Sequence, residues 1–259
     1  MKYLVIHLKT TVFSVLIMLL CSCTDRYDYP IPPASFEETV LPPPVKVTLS
    51  KESSEWKMFV DGEEFYIKGA CTNGFYGMPA EFGANVIRTY GVSDDSRRIL
   101  DEAYEAGLYV NFGLYMKKEA DGFDYDNEEA VAQQLEAMKN DVIRFKDHPA
   151  LLCWSIGNEA EASYTNIKLW SAINDVAKFI HEVDPNHPTT VALSNSDPAK
   201  ILHIIDMAPE IDILSINVYA PTLPNVINNL AAAGWEKPYM ITEFGPRGTW
   251  QMAPEPTRM

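Results

Sequence analysis

The sequence is short of basic residues and has no long apolar run. Its 259 residues include 21 lysines and arginines against 36 aspartates and glutamates, which gives a formal net charge of −15. This charge argues against a nucleic-acid partner, because binding to phosphates requires a basic patch. No apolar run reaches the roughly 20 residues that a membrane-spanning helix requires. With 47% hydrophobic residues, the composition fits a single large globular domain.

Cysteine is also scarce. Of the four cysteines, Cys21 and Cys23 lie near the N-terminus, while Cys71 and Cys153 lie in strand-like segments. We expect the last two to be separate buried thiols, the usual situation of free cysteine in a core, although a disulfide between them is an alternative. Cysteines and histidines show no spacing typical of a metal site, so the sequence predicts no metal.

The N-terminus has the pattern of a targeting segment. Two lysines precede the apolar stretch 11–20, and "LCSC" follows at 20–23. This order is typical of a secretory signal, and "LCSC" resembles a bacterial lipobox. The sequence therefore predicts a signal peptide over 1–22 and a lipid on Cys23. The predicted location is the bacterial cell envelope, with the protein attached to a membrane through the lipid.

A proline-rich segment follows the signal. Six prolines lie between positions 24 and 46, so we expect residues 23–46 to form an extended tether. Residues 47–259 are expected to form the folded domain. Two alternating stretches around Asp61 and Gly62 predict a β-hairpin at its start, since Asp-Gly is a strong two-residue turn signal.

Strand-like and helix-like segments alternate through the rest of the chain. This alternation predicts a parallel sheet, and recurrence of a strand about every 30 residues favours a closed barrel over a doubly wound sheet. The strand candidates are 65–71, 85–91, 109–116, 151–157, 189–194, 213–219 and 238–244. The helix candidates are 94–106, 126–146, 163–183, 198–207 and 222–233.

The barrel is expected to be incomplete. Only the 12 residues 72–83 separate the first strand from the second, which is short for a full helix. After Gly245 only 14 residues remain, too few for an eighth strand and its helix. The predicted fold class is therefore α/β, a TIM-type (β/α) barrel with a short first helix and no eighth strand.

Polar side chains follow or end four of the predicted barrel strands. They are Arg88 in the second strand, Asn158 and Glu159 after the fourth, Tyr219 at the end of the sixth and Glu243 in the seventh. Barrel enzymes carry their chemistry at the C-terminal ends of the strands, so these side chains are candidates for one site. Glu243 lies 84 residues after Glu159, or three strand–helix units of 28, which places both acids on the same rim.

Two carboxylates on one rim are what glycoside hydrolysis requires. One protonates the leaving oxygen, and the other attacks the sugar or activates water. The proton donor must be protonated while the nucleophile stays ionised. Arg88 is expected to keep Glu243 ionised by charge pairing, and Tyr219 is expected to donate a hydrogen bond to it.

Several motifs resemble the catalytic barrel of glycoside hydrolase family 2. They are "FVDGEEFYIKGA", "GANVIRTYG", "WSIGNEAE", "SINVYA" and "ITEFG", and the resemblance covers roughly residues 56–248. It implies a retaining double displacement on a carbohydrate substrate without a cofactor. Glu159 would be the acid/base and Glu243 the nucleophile. Asn158 would bind the sugar 2-hydroxyl, while Arg88 and Tyr219 would orient the nucleophile.

The sequence departs from this family in three respects. The first helix is short, the eighth strand is not identified, and the β-sandwich domains that normally precede the family's barrel are missing. Two alternatives therefore stand beside a glycosidase, namely a glycan-binding surface lipoprotein without activity and an inactive truncated barrel. At single positions the alternatives are structural: a helix-start acid at Glu159, an ion pair at Arg88 and a packing aromatic at Tyr219.

Overall fold

A computed structural model of the chain describes residues 41–72, 74–219 and 221–246. The predicted signal peptide 1–22, Cys23 and most of the predicted tether lie outside the described residues. Residues 41–46, the end of the predicted tether, are in neither helix nor strand. No helix within the described ranges combines the length and apolar character needed to cross a membrane.

A three-stranded antiparallel sheet opens the described chain. Strands β1 (Val47–Glu52), β2 (Glu55–Val60) and β3 (Glu63–Phe65) pair in the order β1–β2–β3. The predicted hairpin turn at Asp61 and Gly62 is confirmed, with φ angles of +49° and +87°. Positive φ at both central residues is what a tight hairpin turn of matching twist requires. Strand β1 was not among the predicted strands.

Seven parallel strands form the main sheet, and each coincides with one of the seven predicted segments, with β7 and β10 ending one residue later than predicted. Neighbours along the chain are neighbours in the sheet, in the order β10–β9–β8–β7–β6–β5–β4. This sequential parallel order is that of an incomplete, nearly closed TIM-type barrel, as predicted. The strands are β4 (Gly69–Cys71), β5 (Val86–Arg88), β6 (Tyr109–Leu114), β7 (Leu151–Asn158), β8 (Thr189–Leu193), β9 (Ile213–Tyr219) and β10 (Tyr239–Gly245).

Helices connect consecutive strands of this sheet. The first, with only five residues, confirms the prediction of a short first helix. The helices are α1 (Gly77–Glu81), α2 (Ser96–Glu105), α3 (Glu128–Phe145), α4 (Lys168–Val183), α5 (Pro198–Met207) and α6 (Val226–Ala233), with short 3-10 turns at Glu119–Asp121 and Leu223–Asn225.

Local chemistry sets the helix ends. Helix α3 begins after Asn127, whose side chain accepts a hydrogen bond from the Ala130 amide at 3.1 Å. Asn127 is therefore the cap, and the helix begins two residues later than the predicted start at 126. Helix α2 ends before Gly107, as predicted, because φ there is +72°, a conformation that glycine adopts readily.

The core lies between the barrel strands and the surrounding helices. Strand β7 is buried at every position from Leu151 to Gly157, as expected for a strand covered on both faces. A second apolar cluster joins the three-stranded sheet to the N-terminal ends of the barrel strands. It includes Val47 and Val60 together with Leu152 and Cys153. This small sheet therefore covers the end of the barrel opposite to the predicted site.

The two cysteines of the domain differ in exposure. Cys153 is fully buried, and burial raises the pKa of its thiol to about 12. The prediction that Cys71 is also buried was wrong, since its side chain is exposed. Cys71 is the last residue of β4, which forms one edge of the described sheet, so no neighbouring strand covers it on that side. Both thiols are free.

Candidate active site

The five predicted site residues lie at the C-terminal ends of the barrel strands. Arg88, Asn158 and Tyr219 are the last residues of β5, β7 and β9, and Glu243 lies near the end of β10. Glu159 directly follows β7. Because all seven strands are parallel, these ends share one rim of the barrel.

Glu243 is held by two of the predicted residues. Its Oε1 accepts a hydrogen bond from Arg88 Nη1 at 2.9 Å, and its Oε2 accepts one from the Tyr219 hydroxyl at 2.7 Å. The Glu243 side chain keeps 16% of its surface exposed, so the carboxylate is largely enclosed but reachable. The bond to Glu243, followed by burial, raises the pKa of Tyr219 to about 12. Tyr219 therefore remains a hydrogen-bond donor at neutral pH.

Arg88 joins residues from four strands. Besides Glu243, it donates through Nη2 to Asn158 Oδ1 at 2.8 Å and through Nη1 to Asn217 Oδ1 at 3.3 Å. The Tyr90 ring lies 4.8 Å from its guanidinium carbon. Arg88 is only 5% exposed, and a buried cation of this kind is tolerated when it is paired and hydrogen-bonded.

Asn217 connects Glu159 to this network. Its Nδ2 donates to Glu159 Oε1 at 2.8 Å and to Asn158 Oδ1 at 3.1 Å. The Thr242 hydroxyl donates to Asn217 Oδ1 at 2.8 Å and fixes the orientation of the amide. Asn217 was not among the residues predicted from sequence to form the site. It lies two positions before Tyr219 in β9, on the same strand face, and that spacing was the available signal.

The backbone at Glu159 is turned rather than helical. Glu159 has a φ of +51°, and its amide donates to the Ala192 carbonyl at 2.8 Å. Gly157 precedes it with a φ of +77°, and a Cβ there would lie 2.8 Å from the Cβ of Met116. Helix α4 begins only at Lys168. Glu159 therefore does not start a helix, and that alternative for its presence is wrong.

Glu159 and Glu243 thus belong to one hydrogen-bond network, but they do not contact each other through a hydrogen bond. Asn217 bonds Glu159 on one side and Arg88 on the other, while Arg88 bonds Glu243. One carboxylate is paired with a cation and a phenol, and the other is held by a neutral amide. Two carboxyl groups in such different surroundings are suited to two different roles in acid–base chemistry.

Known structures share this fold at low sequence identity. A β-glucuronidase from Ruminococcus gnavus aligns with 77% of the chain at 18% identity and a TM-score of 0.56. A β-glucuronidase from Bifidobacterium dentium aligns with 77% at 19% identity and a TM-score of 0.57. The alignments cover 38% and 35% of those enzymes, so the chain spans little more than a third of their length.

In a third similar structure, the alignment covers most of both proteins. A β-1,3-glucanosyltransferase from Rhizomucor miehei aligns with 68% of the chain and 70% of its own length, at 16% identity and a TM-score of 0.50. At these identities the three structures show the fold alone.

The sequence itself matches a family model. The model for the TIM-barrel domain of glycosyl hydrolases family 2 matches residues 81–251, well over half of the chain. The matched range includes the five residues predicted from sequence to form the site and Asn217. The chain therefore belongs to glycosyl hydrolases family 2.

Proposed function

We propose that this chain is a retaining O-glycosidase acting on β-linked glycosides, with Glu159 as acid/base and Glu243 as nucleophile. The observation that carries the proposal is the enclosed Glu243 carboxylate, bonded by Arg88 and Tyr219 on the same rim as Glu159. A paired, ionised carboxylate is the group that a nucleophilic role requires.

In the first half of the reaction, a Glu243 oxygen attacks the anomeric carbon. The bond from that carbon to the leaving oxygen breaks, and Glu159 transfers its proton to the leaving oxygen. Arg88 and Tyr219 hold both oxygens of Glu243 and so fix its direction of attack. The product of this half is a glycosyl ester on Glu243 and an ionised Glu159.

In the second half, Glu159 acts as a base. It removes a proton from water, whose oxygen attacks the anomeric carbon and releases Glu243 as a carboxylate. Two inversions give net retention. An acceptor sugar in place of water would give transglycosylation by the same steps.

Asn158 is proposed to bind the substrate. Its Oδ1 already accepts from Arg88 and Asn217, so its Nδ2 remains to donate to a sugar hydroxyl. In the same network Asn217 holds the Glu159 carboxylate. Arg88, Tyr219 and Asn158 together provide one polar wall for the sugar that Glu243 attacks.

The sugar is proposed from the names of the similar structures and from charge. Two of those structures are β-glucuronidases, which makes an aryl β-glucuronide one substrate to test. Both terminal nitrogens of Arg88 already bond Glu243, Asn158 or Asn217. A glucuronide carboxylate would therefore have to pair with a cation other than Arg88.

The test is turnover of aryl β-glycosides by purified protein. The panel contains the 4-nitrophenyl β-glucoside, β-galactoside, β-mannoside and β-glucuronide, and NMR of the first-formed product gives its anomeric configuration. We expect a β product from one of them, and at least a 10⁴-fold loss of kcat in Glu243→Gln. The control is Glu64→Gln in β3, remote from the rim. Full activity in Glu243→Gln, or an α product, would contradict the proposal.

A glycan-binding protein without activity is the second candidate. It is favoured by the seven-stranded sheet, in which β4 and β10 form the two edges of the described barrel. A barrel open at this point holds its rim residues less rigidly than a closed one. Calorimetric binding of oligosaccharides by wild-type protein that turns over none of them would establish this function instead.

We also propose that the protein is anchored at the bacterial cell envelope through a lipid on Cys23. The order of lysines, apolar stretch and "LCSC" supports it. Labelling of expressing cells with an alkyne-tagged fatty acid is expected to mark the wild type and not Cys23→Ser. Equal labelling of both would reject Cys23 as the attachment site.

A further inference from the structure

A second glutamate lies just beyond the proposed acid/base and is fully enclosed. Glu161 is 2% exposed and has no part in the chemistry described above. Its Oε1 accepts three hydrogen bonds, from the Ser194 amide at 2.8 Å, the Ser194 hydroxyl at 2.7 Å and Lys200 Nζ at 3.1 Å. Lys200 is itself only 12% exposed.

These partners belong to the next strand–helix unit of the barrel. Ser194 directly follows β8, and Lys200 lies in α5. Glu161 therefore ties the segment after β7 to the end of β8 and to the helix that follows it. A buried carboxylate held by a cation and two further donors is a built contact, unlike an exposed ion pair.

Glu161 and Glu159 share one tight turn. The Ala162 amide donates to the Glu159 carbonyl at 3.2 Å and closes this turn. The turn is attached to the β8 segment at two points, by the Glu159 amide to the Ala192 carbonyl and by the Glu161 side chain to Ser194. The proposed proton donor thus lies on a backbone that is fixed at both ends of the turn.

The conformation of Glu159 makes such attachment necessary. Its φ of +51° is unfavourable for a residue with a Cβ, and strained residues persist only where surrounding contacts determine them. Asn217 holds the Glu159 carboxylate but does not hold its backbone. The Glu161 contact with Ser194 restrains the backbone of the turn that carries Glu159.

We infer that Glu161, with Ser194 and Lys200, is a positioning residue that aims the carboxylate of Glu159 at the leaving oxygen. The inference rests on the proposed function, since it takes Glu159 as the acid/base. Without the Glu161 contact, the turn relaxes and the Glu159 carboxyl group moves away from the leaving oxygen. A misplacement of about 1 Å is enough to cost roughly a hundredfold in rate.

The test uses leaving groups that differ in their need for a proton. A phenyl glycoside requires protonation by Glu159, whereas a 2,4-dinitrophenyl glycoside leaves almost unaided. In Glu161→Gln we expect kcat/KM for the phenyl glycoside to fall about 100-fold, and for the dinitrophenyl glycoside to fall less than about 3-fold. Equal losses, or no loss on either substrate, would overturn the inference.

A matched control bonds to the same connection. Glu119 lies in the 3-10 turn after β6, and its carboxylate accepts from the Thr165 amide, the Thr165 hydroxyl and the Asn166 amide, which lie between β7 and α4. Glu119 is thus outside the Glu159 turn, and it is partly exposed. Glu119→Gln is expected to leave the ratio of the two kcat/KM values unchanged. A ratio that shifts as much as in Glu161→Gln would assign the effect to general loosening and overturn the inference.

A readout without catalysis separates this inference from the proposed function. If the wild type turns over neither glycoside, the proposed function fails, and amide hydrogen exchange then tests the positioning. In Glu161→Gln the Glu159 amide, bonded to Ala192, is expected to exchange at least 10-fold faster while amides in β6 do not change. Unchanged exchange at Glu159 would overturn the inference. If Glu161→Gln does not fold, Ser194→Ala removes one donor side chain and takes its place in both measurements.

Discussion

At the scale of single residues, the candidate site depends on side chains that orient other side chains through hydrogen bonds. Tyr219 bonds one oxygen of Glu243, and Asn217 bonds both Asn158 and Glu159. Neither contact requires the residue to react. Both residues lie on the same face of β9, so one strand orients the two proposed catalytic carboxylates.

Replacing Tyr219 by phenylalanine removes one bond to the nucleophile. A hydrogen bond to a charged group contributes about 1.5–3 kcal/mol, so kcat/KM on an aryl glycoside is expected to fall about 10- to 100-fold. The control is Tyr125→Phe, which removes a buried hydroxyl bonded to the Lys117 carbonyl and is expected to affect stability rather than kcat. A Tyr219→Phe enzyme with wild-type kcat/KM would show that Arg88 alone orients Glu243.

Replacing Asn217 by aspartate tests the amide between the carboxylates. The substitution keeps the shape, but it removes the donor to Glu159 and gives Arg88 a second anion to pair with. We expect kcat/KM to fall at least about 100-fold through repulsion of Glu159 and weaker pairing of Glu243. The matched change is Asn229→Asp in α6, at an amide bonded to Ser196, where activity is expected to stay within about twofold.

At the scale of elements, the turn after β7 depends on Gly157. An alanine there requires a φ of +77° and places its Cβ 2.8 Å from the Met116 Cβ. We expect Gly157→Ala to lower the free energy of unfolding by about 2–4 kcal/mol, measured by urea denaturation.

Gly122 provides the comparison for Gly157. Its φ is +87°, but a Cβ there would meet nothing within 4 Å. Gly122→Ala therefore carries the backbone strain without the clash and is expected to cost about 1 kcal/mol. Equal costs at the two positions would mean that the close approach to Met116 contributes nothing.

The strands were predictable where burial leaves a clear pattern. Strands β7 and β9 are apolar runs bounded by turn residues, and the barrel followed from their spacing. Strand β1 was not recognised because it directly follows the proline-rich segment and has one buried position, Val47. Helix α4 begins five residues later than the sequence indicated, and the Thr165 and Asn166 amides before it donate to the Glu119 carboxylate instead.

The charged residues of the candidate site could be predicted from the sequence, whereas the residues that hold them in place were harder to predict. Glu243 and Arg88 are charged residues in apolar strands, a placement that signals a paired, functional group. Asn217 gives a weaker signal, since a neutral amide inside a strand is also compatible with ordinary packing. Glu161 gave none, because only the three-dimensional structure shows that it is buried against Ser194 and Lys200.

At the scale of the whole molecule, titratable contacts between helices and strand ends make stability depend on pH. His181 in α4 bonds Asp212 at 2.9 Å and Glu210 at 3.0 Å. The bond to Asp212, opposed in part by burial, raises the pKa of His181 above 6.5. Burial acts to raise the pKa of Asp212, but bonds from His181 and Thr189 outweigh it and lower that pKa.

The sign of the pH effect follows from these directions. A raised pKa of His181 gives stability that is complete below pH 6.5 and is lost as the pH rises through the folded value. In His181→Gln the stability deficit relative to wild type is therefore expected to be larger at pH 6 than at pH 9. The pair is partly exposed, so a difference below about 1 kcal/mol is expected. Urea midpoints at both pH values give the measurement.

His148 is the opposite case and serves as the control. Burial, against the bond to Asp101, lowers the pKa of His148 below 6.5. Its contribution is complete above pH 6.5 and is lost as the pH falls, so the deficit of His148→Gln is expected to be larger at pH 9 than at pH 6. Deficits that change in the same direction for both variants would contradict these assignments.

The bond between Arg88 and Glu243 joins positions 155 apart in the chain. Contacts between distant positions form late in folding, because the loop that they close must first lose its conformational entropy. Arg88 also bonds Asn158 and Asn217, so its complete set of partners exists only once β5, β7, β9 and β10 have all taken their places in the sheet. After dilution from urea, activity is therefore expected to return with the slowest refolding phase, behind the fluorescence change of the buried Trp154 and Trp170. Recovery of the proposed activity would therefore report that the last strands of the barrel have joined the sheet.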